Sequence, residues 1–152
     1  MKKFELTTDT KMHFGRKLFR IKALVSFGNV KAGDMGGYVE KEENLSHLNE
    51  AWVSGNAKVY GNAKVSGNAK VYGDAWVSGN ADYATASGFG SECRTTTFFK
   101  LKNSDEIGVR CGCFYGTLKE FKEKVKETHG ESKKAKEYLM LADLMEYRFS
   151  EE

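Results

Sequence analysis

Proline is absent from the 152 residues, and cysteine occurs only three times. Without proline the turns must be made by other residues. Sixteen glycines take that place, because glycine reaches left-handed backbone conformations at little cost. The odd set of thiols, Cys93, Cys111 and Cys113, excludes a framework in which every cysteine is paired within the chain. No secretory leader is expected, since the basic start at Met1 to Lys3 turns polar between Phe4 and Asp9. The thiols are therefore expected to be reduced. Apolar runs approaching the ~20 residues of a membrane-spanning helix are missing as well, so the reading is a cytoplasmic protein with no membrane partner. Charge of one sign is scarce: the net value is +3, and all of the excess lies before Leu45. Nucleic-acid binders carry a denser basic stripe, and nucleic acid is not an expected partner.

What is present instead is a repeat of six. From Val53 the chain reads Val-Ser-Gly-Asn-Ala-Lys, Val-Tyr-Gly-Asn-Ala-Lys, Val-Ser-Gly-Asn-Ala-Lys, Val-Tyr-Gly-Asp-Ala-Trp and Val-Ser-Gly-Asn-Ala-Asp without a slip. The valines share one phase, the alanines from Ala51 to Ala81 a second, and Asn56, Asn62, Asn68, Asp74 and Asn80 a third. A helical period of 3.6 would scatter the valines around a circumference. A parallel β-solenoid would collect them, each hexad making a short strand and a turn, with Val and Ala inward and Gly-Asn at the corner.

The hexads resemble the bacterial hexapeptide-repeat family, whose members coil three hexads into a triangular left-handed β-helix. Val takes that family's aliphatic position and Ala the small residue four places on. The chain departs from the pattern in placing Ser54, Tyr60, Ser66, Tyr72 and Ser78 after the aliphatic residue, with Gly one place later. With three hexads per coil Val53 stacks on Val71 and Val59 on Val77. The Ser/Tyr alternation, of period twelve, also suits two hexads per coil.

The expected fold is mainly β with a C-terminal α portion: an N-terminal β cap over residues 1–44, a hexapeptide-repeat β-solenoid over 45–90, and a β-β-α-α unit over 91–152. In the first segment Lys17 to Val25 alternates as a strand does. The degenerate hexads His47 to Trp52 and Tyr83 to Gly88 close the repeat. In the last segment Thr95 to Lys102 and Ile107 to Phe114 read as strands. Thr117 to Glu120 forms a capping box that opens a helix with Leu118, Phe121 and Val125 on its apolar face, and Ser132 caps a second helix. Trp52, Tyr60, Tyr72 and Trp76 are too aromatic for a solvated face and are read as an oligomer interface. The family resemblance implies a homotrimer joined along the solenoid sides.

The residues present candidates for three chemistries. Many hexapeptide-repeat proteins transfer acyl groups from coenzyme A with a histidine as general base. His47, oriented by Glu43 or Glu50, is the counterpart here, against which no loop interrupts the coils. Cys93, Cys111, Cys113 and His129 would make a zinc set, but two alternate thiols on a strand are more simply core residues, and neither metal nor cofactor is expected. Arg94, Thr95, Thr96 and Thr97, with Lys100, Arg110 and Tyr115 in hairpin register, combine guanidinium, hydroxyls and an aromatic ring. That is equipment for an anionic, planar ligand such as a nucleotide. The competing reading is a polar strand face with Arg paired to Glu106 or Glu92.

Gly36 to Ser46, the hexads and Cys111 to Phe121 also resemble, over nearly the full length, small hexapeptide-repeat proteins of bacteriophage and prophage genomes, mostly called hypothetical or polymer-forming. This implies a non-catalytic phage accessory protein that sequesters a host factor, either a nucleotide-type immune signal or a defence protein. A trimerising structural module and an acyltransferase are the alternatives.

Overall fold

Two adjacent residues with positive φ, Phe14 at 49° and Gly15 at 79°, turn the first hairpin. The computed structural model describes residues 2–87, 95–102, 106–111 and 114–150. In it β1 (Phe4–His13) pairs antiparallel with β2 (Arg16–Ala23), and β2 with β3 (Met35–Val39). Four two-residue strands follow from the hexads: β4 (Trp52–Val53), β5 (Lys58–Val59), β6 (Lys70–Val71) and β7 (Trp76–Val77). They pair in parallel, β4 with β6 and β5 with β7, so that Val53 lies beside Val71 and Val59 beside Val77. β3 joins the second of these pairs through β5. The last part builds an antiparallel sheet in the order β11-β10-β9-β8 from β8 (Tyr83–Ala86), β9 (Thr96–Lys100), β10 (Ile107–Cys111) and β11 (Phe114–Thr117). It is followed by α1 (Leu118–His129) and α2 (Lys133–Phe149).

The expected fold class is thereby corrected. Among the described residues the chain is mixed α/β, with three separate sheets and two helices, and not a regular left-handed β-helix. The reason lies in the hexad itself. Gly55, Gly61, Gly67 and Gly73 all hold φ between +63° and +71°, and the corner they make leaves only two residues per strand for pairing. Those short ladders are distributed over a two-stranded sheet and a five-stranded one, and the latter is begun by the antiparallel β1-β2-β3. Tyr83 to Ala86, read as a degenerate hexad, is an antiparallel strand on β9; Tyr-Ala-Thr-Ala lacks the Gly-Asn corner and alternates instead. β11, not anticipated, extends the same sheet.

Burial follows the phases of the repeat as far as Val77, whereas Ala81, in the same alanine phase, is exposed. Val53, Val59, Val65, Val71 and Val77 are fully buried with Ala51, Ala57, Ala69 and Ala75, and Phe4, Ile21, Val39, Leu45 and Phe99 complete that core. Each buried valine contributes about 1.5–3 kcal/mol of transfer free energy. A second core lies under the helices, where Leu118, Phe121 and Val125 of α1 meet Ala135, Tyr138, Ala142 and Met145 of α2. β9 stands between the two, its neighbours Phe98 and Phe99 facing opposite sides as strand geometry requires. The helices start at Thr117, whose hydroxyl accepts from Glu120 N, and at Ser132, whose hydroxyl accepts from Ala135 N.

One buried polar group holds the entry to the repeat. Asn44 Oδ1 accepts from the backbone N of Glu40 and of Lys41, while its Nδ2 donates to the carbonyls of Gly61 and Ala63. All four of its bonding directions are used, which is what makes a fully buried amide tolerable. No helix among the described residues is long and apolar enough to cross a membrane.

Candidate functional site

A groove of about 330 Å³ opens where the Phe27–Val30 turn, strands β4 and β6, and Arg110 of β10 come together. Parallel pairing of β4 with β6 puts Trp52 directly beside Lys70. Tyr72 follows on the same strand end, one residue past the inward Val71. The far wall is brought in by a side-chain tie: Lys70 N donates to Thr97 Oγ1 at 2.9 Å. Thr97 stands opposite Arg110 in the β9-β10 register, so the guanidinium is delivered over the repeat and lies 4.7 Å from the centre of the Tyr72 ring. A guanidinium over an aromatic face is attracted by the negative face of the ring, and Arg is the side chain suited to both such a contact and an anionic group.

Opposite Arg110, the turn is closed by reciprocal backbone bonds between Phe27 and Val30. Phe27 sets its ring edge-on to Trp52 at 5.3 Å. Trp52 is 5% exposed, so only an edge of the indole reaches the groove. Behind Phe27 sits Lys3, itself buried, whose ammonium is 4.6 Å from the ring centre and donates to the carbonyl of Ala51 at 2.6 Å and of Asn49 at 3.3 Å. Burial pulls the Lys3 pKa down to about 8, with the Glu50 carboxylate acting in the opposite sense. Glu50 also reaches towards Lys70, at 4.0 Å, and lies close enough to Gly28 that a Cβ there would come within 2.6 Å of its oxygen. Asp34, the other acid of the lining, accepts from Lys31 N and is held to its own turn. The groove thus carries an aromatic floor and two cations, with Glu50 standing between Lys70 and the turn.

The expected ligand residues fall into three groups. Arg94 lies outside the described residues. Thr96 and Thr97 are buried and engaged: Thr96 donates to Cys111 Sγ at 3.2 Å, and Thr97 accepts from Lys70 N. Thr95 pairs with Ser87 at 2.8 Å, and Lys100 with Asp82 at 3.3 Å, both away from the groove lining. Arg110 does line the groove. Tyr115 supports it from below, meeting the Tyr72 ring edge-on at 4.7 Å, and burial pushes its phenol pKa up. The tyrosine hydroxyl occupies the space above Gly73, where any Cβ would collide with it.

The four aromatics expected at an oligomer interface separate into two pairs, each covered from within the chain. Trp52 and Tyr72 lie under Phe27 and Arg110. Tyr60 and Trp76 receive His13 from the β1-β2 hairpin, at 4.9 and 4.6 Å, and Phe14 reaches Trp76 at 5.5 Å. His13, closed in by these rings with Lys58 nearby, has its pKa lowered, first by burial and then by that charge.

His47 stacks on Phe4 at 4.3 Å, its Nδ1 accepts from Lys3 N at 3.0 Å, and its Nε2 lies 3.5 Å from Glu42. The carboxylate beside it is thus Glu42, rather than Glu43 or Glu50. Of the thiol set, Cys93 and Cys113 lie outside the described residues, Cys111 takes the Thr96 hydrogen bond, and His129 stacks on Tyr138 at the end of α1. Among the described residues no three His, Cys, Asp or Glu side chains gather as a metal site would require.

Sequence reasoning missed Phe27, Glu50 and Lys70. The signal for Lys70 was present: it occupies the hexad phase of Trp52 three repeats on, so the parallel pairing that sets Val53 beside Val71 must set Lys70 beside Trp52. Phe27 lies in a segment whose placement no periodicity specifies, whereas Glu50 stands in the hexad phase of Asn68, whose side chain accepts from its backbone N. No protein-family model matches the chain, and no curated protein matches it.

Proposed function

We propose that the chain is a non-catalytic binding protein whose groove holds an anionic ligand with a planar ring, of nucleotide type. The observation that carries this reading is Arg110 placed over the Tyr72 ring with Lys70 in the same groove, whose other walls include Phe27, Trp52 and the acids Glu50 and Asp34. The two cations serve the anionic group, and the aromatic wall serves the ring. Of the two acids in the lining, Asp34 is held to its own turn by Lys31 N and Glu50 is directed at Lys70, which favours retention of the ligand over its conversion. With the likeness to phage proteins, retention means sequestration: the protein withdraws a nucleotide-type signal of its host.

The test is a thermal-shift panel of cyclic and linear nucleotides, nucleotide sugars and coenzyme A. A nucleotide should raise the melting temperature. Arg110→Ala should weaken its binding by about ten- to hundred-fold, the loss of roughly 1.5–3 kcal/mol from charge-assisted hydrogen bonds. A shift given by coenzyme A alone would favour acyl transfer. Absence of any shift would favour a host protein as the sequestered factor.

A further inference from the structure

α2 is apolar on two opposite faces. Ala135, Tyr138, Ala142 and Met145 are buried on one of them, in the core shared with α1. Met140, Leu144 and Tyr147 follow the i, i+4, i+7 spacing that places them on the other, and they are 70%, 55% and 77% exposed. A helix apolar on both sides is normally held between two layers, and only one layer is supplied by the described chain.

The geometry points to a second copy of this chain as the missing layer, α2 packing against α2 in antiparallel fashion about a two-fold axis near Met140 and Leu144. Charge selects this occupant and this direction. Along one margin of the stripe stand Glu137 and Arg148, neither held in an ion pair within the described residues. Antiparallel pairing with Met140 against Leu144 brings Glu137 of one copy opposite Arg148 of the other, twice by symmetry. Parallel pairing would instead leave Glu137 and Arg148 eleven residues apart along the axis, ~16 Å, and beyond each other's reach. A face of three side chains from each copy is small beside the ~800 Å² per partner of a standard interface, so the dimer should be reversible and concentration-dependent.

Sedimentation velocity of the full chain across roughly 5 to 500 µM tests this. The expected result is a monomer that passes to a dimer as concentration rises. Leu144→Asp, at an exposed position, should hold the protein as a monomer throughout with unchanged circular dichroism. Glu137→Arg should weaken the dimer about ten-fold, and adding Arg148→Glu should restore it, which a general loss of solubility or folding would not do. A monomer at every concentration overturns the proposal. So does an oligomer that Leu144→Asp leaves intact, or a double variant that stays as weak as the single one.

Discussion

At the scale of single residues, the chain spends polar groups to position aromatic ones. Lys3 shows the cost and its use. Its ammonium is taken out of water, tied to the carbonyls of the segment just before Trp52, and placed under Phe27. Because its folded pKa is about 8 against the ordinary 10.5, the unfolded chain binds more protons between those two values. Unfolding free energy contributed by Lys3 therefore rises as pH climbs through that window, and below pH 8 the buried charge is a constant burden. Urea denaturation of the wild type and of Lys3→Met at pH 7, 8, 9 and 10 should show the wild type gaining on the variant with pH. A difference that stays flat, or moves the other way, contradicts the burial of this ammonium.

The repeat strands are two residues long, and their corners carry as much information as the strands. Gly67 and Gly73 hold nearly the same left-handed φ, +65° and +71°, yet nothing lies within 4 Å of a Cβ at the first, whereas the Tyr115 hydroxyl fills that space at the second. Alanine at Gly67 should cost about 1–2 kcal/mol, the strain of the left-handed conformation alone. Alanine at Gly73 should cost a further ~1–3 kcal/mol of overpacking, and should disturb the Tyr115-Tyr72 contact on which Arg110 rests. Equal losses by chemical denaturation would show that Tyr115 does not sit over that corner.

The hexad also marks where sequence reasoning reached and where it stopped. Strict phases of Val and Ala identified the core residues of the repeat, because period alone decides which side chains can share an interior. Thr117 and Ser132 identified both helix starts through local hydrogen bonds that need no tertiary context. The class of fold was misread because the hexads alone do not tell that β1, β2 and β3 would continue their sheet; β1 is rich in Thr, Asp and Lys and shows little alternation. Arg110 was singled out from its strand register and does line the groove, but the residues it meets there were not foreseen. Lys70 beside Trp52 follows from the repeat, but the Lys70-Thr97 bond and the Phe27-Trp52 contact that bring the groove together are long-range and without sequence signature.

At the scale of the whole molecule, β9 joins two cores, one made by the repeat and the N-terminal strands, the other by the two helices. The groove lies on the first side of that junction and the open face of α2 belongs to the second, so the proposed ligand capture and the proposed self-association would draw on different parts of the chain. The central claim, that a nucleotide-type ligand occupies the groove, is tested most directly by the two tryptophan indole resonances. In an amide and indole proton–nitrogen spectrum, assigned with Trp76→Phe, addition of the nucleotide selected by thermal shift should move the Trp52 indole signal and leave that of Trp76 in place. In Arg110→Ala the same addition should move neither at the concentration that saturates the wild type. A shift confined to Trp76, or an unmoved Trp52 signal with the ligand bound, would contradict the account.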